Sequence, residues 1–526
     1  MKKLLSLVLA AALLLSGSLF AAAEDEKSVN VGITSTIATL NPLAMDATEI
    51  VKYATSLVFQ SLVEADSQLN FVPVIAESIT TEDNQHFTIK VRDDAVWSDG
   101  TPITAQDVEF TLVLGADPQC ANISLAMYSI VGVSDEGVIE PNAEAIEGIR
   151  VVDDKTLTVE TKYPTALSTF ENNFGRYALI LPKHVLKDVA RDTLLTNEWF
   201  NHPDVISGPY FIHDFDLQHY VHYEANEHYF LGAPKIKYLN LNVVAPSQML
   251  SGLQSGEIDL IQQTTGAVPV EDYDAVKALP NVLAVPSTPV TNELIFVNVA
   301  KVTDVRIRQA LLYGMDRVGM QENLLGDFGT VVDGFLVPAS PYFSQDLGVT
   351  AYDPEKAAQL IAQAKADGAS TELTWYVSAE ESVWGNAVQY FAAMFEEIGL
   401  KINIRTVDLA NLMAVVDEGQ HDILSVEYTL MPADPYTDIA WLIGGQSLWT
   451  GYTSPATDDA LALSQSLTDS AAITEQYLIV NRAMQQDAPV ISGWVIGKLG
   501  AVSNRLVNAH PDVFGTFLNV QDWDIQ

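Results

Sequence analysis

Trp97-Ser98-Asp99-Gly100-Thr101-Pro102-Ile103-Thr104-Ala105-Gln106-Asp107-Val108 holds two pieces of local structure back to back. Gly100 and Pro102 set a tight turn, and the side chains of Asp99 and Thr101 can bond its free backbone groups. Thr104 then reads as a helix cap, with Asp107 at the reciprocal position three residues on. Upstream, residues 86–91 alternate as a half-buried strand does, so strand, turn and helix follow one another. The succession recurs outward in both directions. Residues 29–33 form a short apolar strand, and 50–63 have helical spacing through Val51, Ala54, Val58 and Leu62. Residues 295–299 read as a buried strand, 305–313 as a helix, and 354–366 as a helix with Asp353 as cap and Pro354 in its first position. Residues 390–398 are helical up to Gly399, and 401–407 return to strand. The alternation predicts α/β lobes.

At 526 residues the chain exceeds what one core can fill, so at least two lobes are expected; 48% hydrophobic residues supply their interiors. Lys2 and Lys3, an apolar run at 4–15 and Ala21-Ala22-Ala23 read as an export signal cleaved near Ala23. Ser16, Gly17 and Ser18 break that run short of the ~20 apolar residues a span needs. Ser18 follows Leu15-Ser16-Gly17 where a lipoprotein carries cysteine, so the expected location is the periplasm, without a lipid anchor. The single Cys120 cannot form an internal disulfide, and no His or Asp pattern accompanies it as a nucleophile would require. Without the signal, 25 basic residues face 68 acidic ones, a net −43. Such a field repels phosphate backbones and anionic lipid, so nucleic acid is not an expected partner.

Several blocks together are more specific. Leu40-Asn41-Pro42, the run 57–63, Pro73-Val74-Ile75-Ala76-Glu77-Ser78 and the opening block 97–108 resemble, in order, the peptide/nickel class (family 5) of extracellular solute-binding proteins of ABC transporters. Gly208-Pro209-Tyr210, Asn226 with Tyr229, the run 253–259, Asp304 to Leu311 with Asp316-Arg317, and Tyr352-Asp353-Pro354 continue the match through nearly the whole mature chain. The resemblance implies an α/β, two-lobed periplasmic-binding-protein fold with hinge strands and an extra subdomain inserted in the first lobe. On that pattern residues 24–62, 200–297 and 490–526 form the first lobe, 63–199 the inserted subdomain and 298–489 the second lobe. It also implies a monomer that captures a small ligand in the cleft, an oligopeptide or dipeptide first, and delivers it to ABC permease subunits. An oligosaccharide, a polyamine or a metal chelate stays open as the alternative. No cofactor is expected.

Glu427-Tyr428-Thr429-Leu430-Met431-Pro432-Ala433-Asp434-Pro435 resembles the family's ligand loop. Peptide-binding members place an aspartate, which takes the ligand's α-ammonium, where this chain has Met431; Tyr428 keeps the aromatic position three residues earlier. Tyr428, Met431 and Asp434 are therefore expected to bind ligand, with Glu427 or Asp434 as the substitute charge. Asn41, Trp375, Trp384, Trp449 and Tyr452 join them as cleft walls, flat rings suiting peptide side chains or sugar faces alike, although large aromatics also fill cores. Arg306 and Arg308 read as anchors for acidic side chains. His213, His219, His222 and His228 crowd one stretch, but their spacing fits a solvated hairpin better than a metal site. The rival class, an exported hydrolase, lacks a Gly-x-Ser-x-Gly elbow, a His-Glu-x-x-His helix and, in the mature chain, Ser-x-x-Lys. Residues 493–498 fall one residue short of a phosphate loop. The chain reads as a binder and not as an enzyme.

Overall fold

The computed structural model describes residues 27–45, 48–122, 124–266, 268–379, 382–444 and 447–526; the expected export signal lies outside them. Strand Ser28–Ile33 starts a seven-stranded sheet, pairing in parallel with Tyr238–Val243 on one side and Leu260–Ile261 on the other. Hairpin strands Tyr210–Asp216 and Tyr220–Ala225 extend it outward, and Leu499–Ser503 sits between Leu260–Ile261 and Val282–Pro286. A second, six-stranded sheet is centred on Thr291–Val297, buried at every position and flanked antiparallel by Ile423–Thr429 and Val490–Ile496. Glu372–Ser378 and Lys401–Val407 extend it in parallel on one side, and Gly329–Thr330 pairs antiparallel with Val490–Ile496 at the other edge. A separate four-stranded antiparallel sheet falls between residues 76 and 160, inside the first lobe's span of chain.

The opening block folds as its residues dictate. His86–Val91 alternates exposed and buried. Gly100 takes φ +86°, and Asp99 accepts the Thr101 amide at 2.8 Å. The Thr104 amide and hydroxyl both donate to Asp107 Oδ2 at 2.8 Å at the start of helix Ala105–Ala116. Two other expectations need correction. The helix expected over 50–63 is Glu49–Ser56, because Gly208 and Tyr210 donate to the carbonyls of Val58 and Leu57 and draw the chain out of the helix. The first lobe was expected to run through 297 and to resume at 490. Sheet pairing instead puts Thr291–Val297 and Val490–Ile496 in the second lobe, so the chain crosses at 286–291 and 496–499. These crossings lie side by side: the Ser287 amide donates to the Lys498 carbonyl, and the Lys498 amide to Ser287 Oγ, both at 2.8 Å. A side chain on Gly497 would meet the Ser287 carbonyl at 2.8 Å, so the contact requires glycine.

Candidate functional site

The second lobe's wall begins where Ile423–Thr429 leaves its sheet and turns into helix Pro435–Ile443, which has Pro435 at its first position. One carboxylate gathers this loop: Asp438 accepts the Tyr428 hydroxyl and the Met431 amide, both at 3.0 Å. The Tyr428 ring stacks on Trp441 at 6.0 Å, and Trp441 packs edge-on against Trp449 at 5.2 Å. Asp434 is 1% exposed and accepts from three neutral side chains, the hydroxyls of Thr169 and Thr437 at 2.8 Å and the Asn172 amide at 3.0 Å. Burial pushes its carboxyl above the usual range against the pull of those donors.

Thr169 and Asn172 belong to the first lobe's wall, where the short helix Leu167–Phe170 runs into a π-helical turn, Glu171–Arg176. The wider turn is of a kind often found at functional sites. Here Asn172 reaches Asp434, Asn173 reaches Thr437 at 3.4 Å, and Arg176 turns to the lobe's interior. Its Nε donates to Glu64 at 2.5 Å and its Nη2 to Glu49 at 2.6 Å. Lys52, wholly buried, forms the second ion pair with Glu64, and the Tyr177 hydroxyl donates to Glu49 at 3.2 Å. Burial, with the Arg176 charge beside it, drives the Lys52 ammonium well below its ordinary value. For Glu49 burial acts upward, but Arg176 and Lys52 outweigh it and hold the carboxyl low.

The two walls touch at this seam. Met431, Ala65, Val290, Val513 and Phe514 form one apolar cluster across the seam, and the Arg176 guanidinium lies 5.1 Å from the Phe514 ring. Farther along, Asn84 donates to the Gln465 carbonyl and Gln465 Oε1 accepts the Ala166 amide, both at 3.0 Å. A cavity of about 20 Å³ beside Tyr53, Gln60 and Glu64 has room for a water molecule and little more.

Of the expected contacts, the structure brings Tyr428, Met431 and Asp434 to this seam. Met431 packs there as an apolar filler, and Glu427 pairs with Lys498 at the crossing instead. Trp449 stands behind Trp441, against Phe296 at 4.9 Å. The remaining expectations are corrected by packing. Trp375 and Trp384 are 1% and 0% exposed in the second lobe's core, where Trp384 lies 5.3 Å from Trp494. Tyr452 is buried with its hydroxyl on Asp487 at 2.6 Å, and Asn41 spends its side chain on the Leu43 amide and the Leu194 carbonyl. Arg306 does anchor acids, Asp304 and Asp367, whereas Arg308 holds the carbonyls of Asp487 and Val302. Residues 493–498 are strand and crossing, and His213 and His219 lie on or beside the expected hairpin, each beside an acid. Glu49, Lys52, Arg176, Tyr177 and Asp438 were missed. The one signal was a lysine set among Ile50, Val51, Tyr53 and Ala54.

The family model for bacterial extracellular solute-binding proteins, family 5, middle region, matches residues 70–448. A putative ABC transporter peptide-binding protein of Brucella ovis is 26% identical over 500 residues, 89% of this chain and 86% of that one. Among solved structures, the oligopeptide-binding protein AppA of Bacillus subtilis in complex with a nonapeptide superposes with TM-score 0.76 at 20% identity, over 95% of this chain and 99% of that one. NikZ of Campylobacter jejuni in complex with Ni(L-His) gives 0.77 at 20% identity, with the same coverage.

Proposed function

Because the chain belongs to family 5 of the bacterial extracellular solute-binding proteins, we propose that it captures a small ligand between its lobes, at the seam of Tyr428, Asp434, Asp438, Asn172 and Arg176, and hands it to the permease of an ABC importer. It acts as a periplasmic monomer and turns nothing over. The observation that carries this reading is the seam itself: polar and charged side chains from both lobes are buried against each other beside a two-stranded hinge. Closure around a solute needs only preferential affinity for the closed form, and the low dielectric of a shut seam strengthens every polar contact made there. Relatives named for peptides and a neighbour holding a nickel–histidine complex leave the solute class open. Met431 in place of an acid, sealed into an apolar cluster, favours a solute other than an ordinary peptide.

The test begins with native mass spectrometry of the gently purified mature protein, to identify the solute it carries. Titration calorimetry then compares wild type with Tyr428→Ala and Arg176→Lys. The expected outcome is a loss of about tenfold or more in affinity for each. Unchanged affinity in both variants would remove the site from this seam.

A further inference from the structure

We propose that the solute held at the seam presents a positively charged nitrogen and that Asp438 is the residue that selects it. This rests on the binding role proposed above and adds the chemical class of the ligand.

Six ionisable side chains carry the argument, the carboxylates of Glu49, Glu64, Asp434 and Asp438 and the cations of Lys52 and Arg176. Both cations are committed, Lys52 to Glu64 and Arg176 to Glu64 and Glu49. Among the described residues Asp434 and Asp438 have no ion pair. Every hydrogen bond they accept comes from a neutral donor: Tyr428 and the Met431 amide on Asp438, and Thr169, Asn172, Thr437 and the Tyr436 amide on Asp434. A carboxylate taken from water into such a place is costly unless a counter-charge joins it or it takes up a proton. A second observation points the same way. Asn172 is 6% exposed and gives its amide to Asp434, while its Oδ1 has no hydrogen-bond partner among the described residues. Thus what the seam leaves unmatched is acceptor, and the complement is a donor that carries charge.

Asp438 is the less buried residue of the two, and Tyr428 and Trp441 set aromatic surface beside it, which suits an organic cation. The chain's −41 field favours the approach of the same class and repels polyanions.

The choice of Asp438 carries a proton signature. Burial, with Asp434 and Glu49 as like charges, pushes its carboxyl up to about 7, the Met431 amide and Tyr428 hydroxyl pulling the other way. Tyr177 faces the same carboxyl, and among the described residues no cation pairs with it. At neutral pH the empty site therefore holds part of a proton, and a docked cation expels it. The linkage is that of a raised acid: affinity for the cation climbs with pH up to about 7, by at most about tenfold per unit, and levels off above.

Titration calorimetry of the full mature chain with 1,4-diaminobutane, a lysyl dipeptide, an N-acetylated neutral dipeptide and succinate tests this. The expected result is binding of one or both cationic probes, with an enthalpy that differs between phosphate and Tris buffers at pH 7 because a proton is released. In Asp438→Asn that buffer dependence disappears and cation affinity falls by about 30-fold or more. In ligand-free protein, Asp438→Asn should gain stability over wild type as pH rises from 5 to 8, which shows that the variant folds. Preferred binding of the neutral or anionic probe, failure of both cationic probes, or undiminished cation binding by Asp438→Asn would overturn the proposal. If another solute binds and Tyr428→Ala abolishes that binding, the binding role survives and only the cation is lost. If no solute of any class binds, the role itself fails.

Discussion

At the scale of single residues the seam is an exercise in paired burial. Arg176 faces two carboxylates and also depresses the Lys52 ammonium, so its removal acts in two directions. Arg176→Met should still cost about 3–5 kcal/mol, because Glu49 is left with the Lys52 charge alone and Glu64 loses one of its two partners. Urea unfolding at pH 7 measures it; a loss below about 1 kcal/mol would mean that Lys52 redistributes and carries both acids. The place of Tyr428 and Asp434 at the seam was legible in the sequence because an aromatic and an Asp-Pro mark a short local motif. Arg176 was not, since its partners stand 112 and 127 positions away and nothing local distinguishes it from a surface arginine. Trp375 and Trp384 misled for the opposite reason: a tryptophan's bulk is as useful in a core as against a solute, and only packing separates the two.

Elements defined by their own ends were read well. Pro354–Ala366 carries Asp353, which accepts the Lys356 amide at 2.9 Å, and Pro354 at its start, and the strand Lys401–Val407 follows a glycine stop. Elements ended by a distant partner were not. The helix Glu49–Ser56 stops because Gly208 comes against the Leu57 carbonyl, so close that an added Cβ would lie 2.2 Å from that oxygen. Gly208→Ala should therefore destabilise the protein by about 1–3 kcal/mol through forced displacement. Thermal and urea melts measure this, and a neutral substitution would mean that the helix end slides freely. The π-helical turn Glu171–Arg176 belongs to the same class: no cap or breaker announces it, and its residues make sense only against Asp434 and Thr437 on the far lobe.

For the whole molecule, α/β lobes in alternation were legible from periodicity, while the crossing points were displaced by several residues. Thr291–Val297 and Val490–Ile496 are buried at every position, and an apolar run such as Leu294 to Val297 looks the same whichever sheet receives it. The closed arrangement depends on few direct contacts, and Asp434 accepts two of them from the opposite lobe. Asp434→Ala should shift the ligand-free protein toward an open form, seen as a larger radius of gyration in small-angle scattering, whereas saturating ligand restores the wild-type value. An unchanged radius without ligand would assign closure to the apolar cluster around Met431 alone. The path of the chain also sets an order of events. Leu499–Ser503, which bridges Leu260–Ile261 and Val282–Pro286, comes from the final stretch of polypeptide. Until a ribosome has made Ser503, the first lobe lacks an interior strand, while the second lobe's sheet is already complete at Ile496. In a nascent chain of this design the second lobe's sheet can close before the first's, which keeps the first lobe threadable for longer.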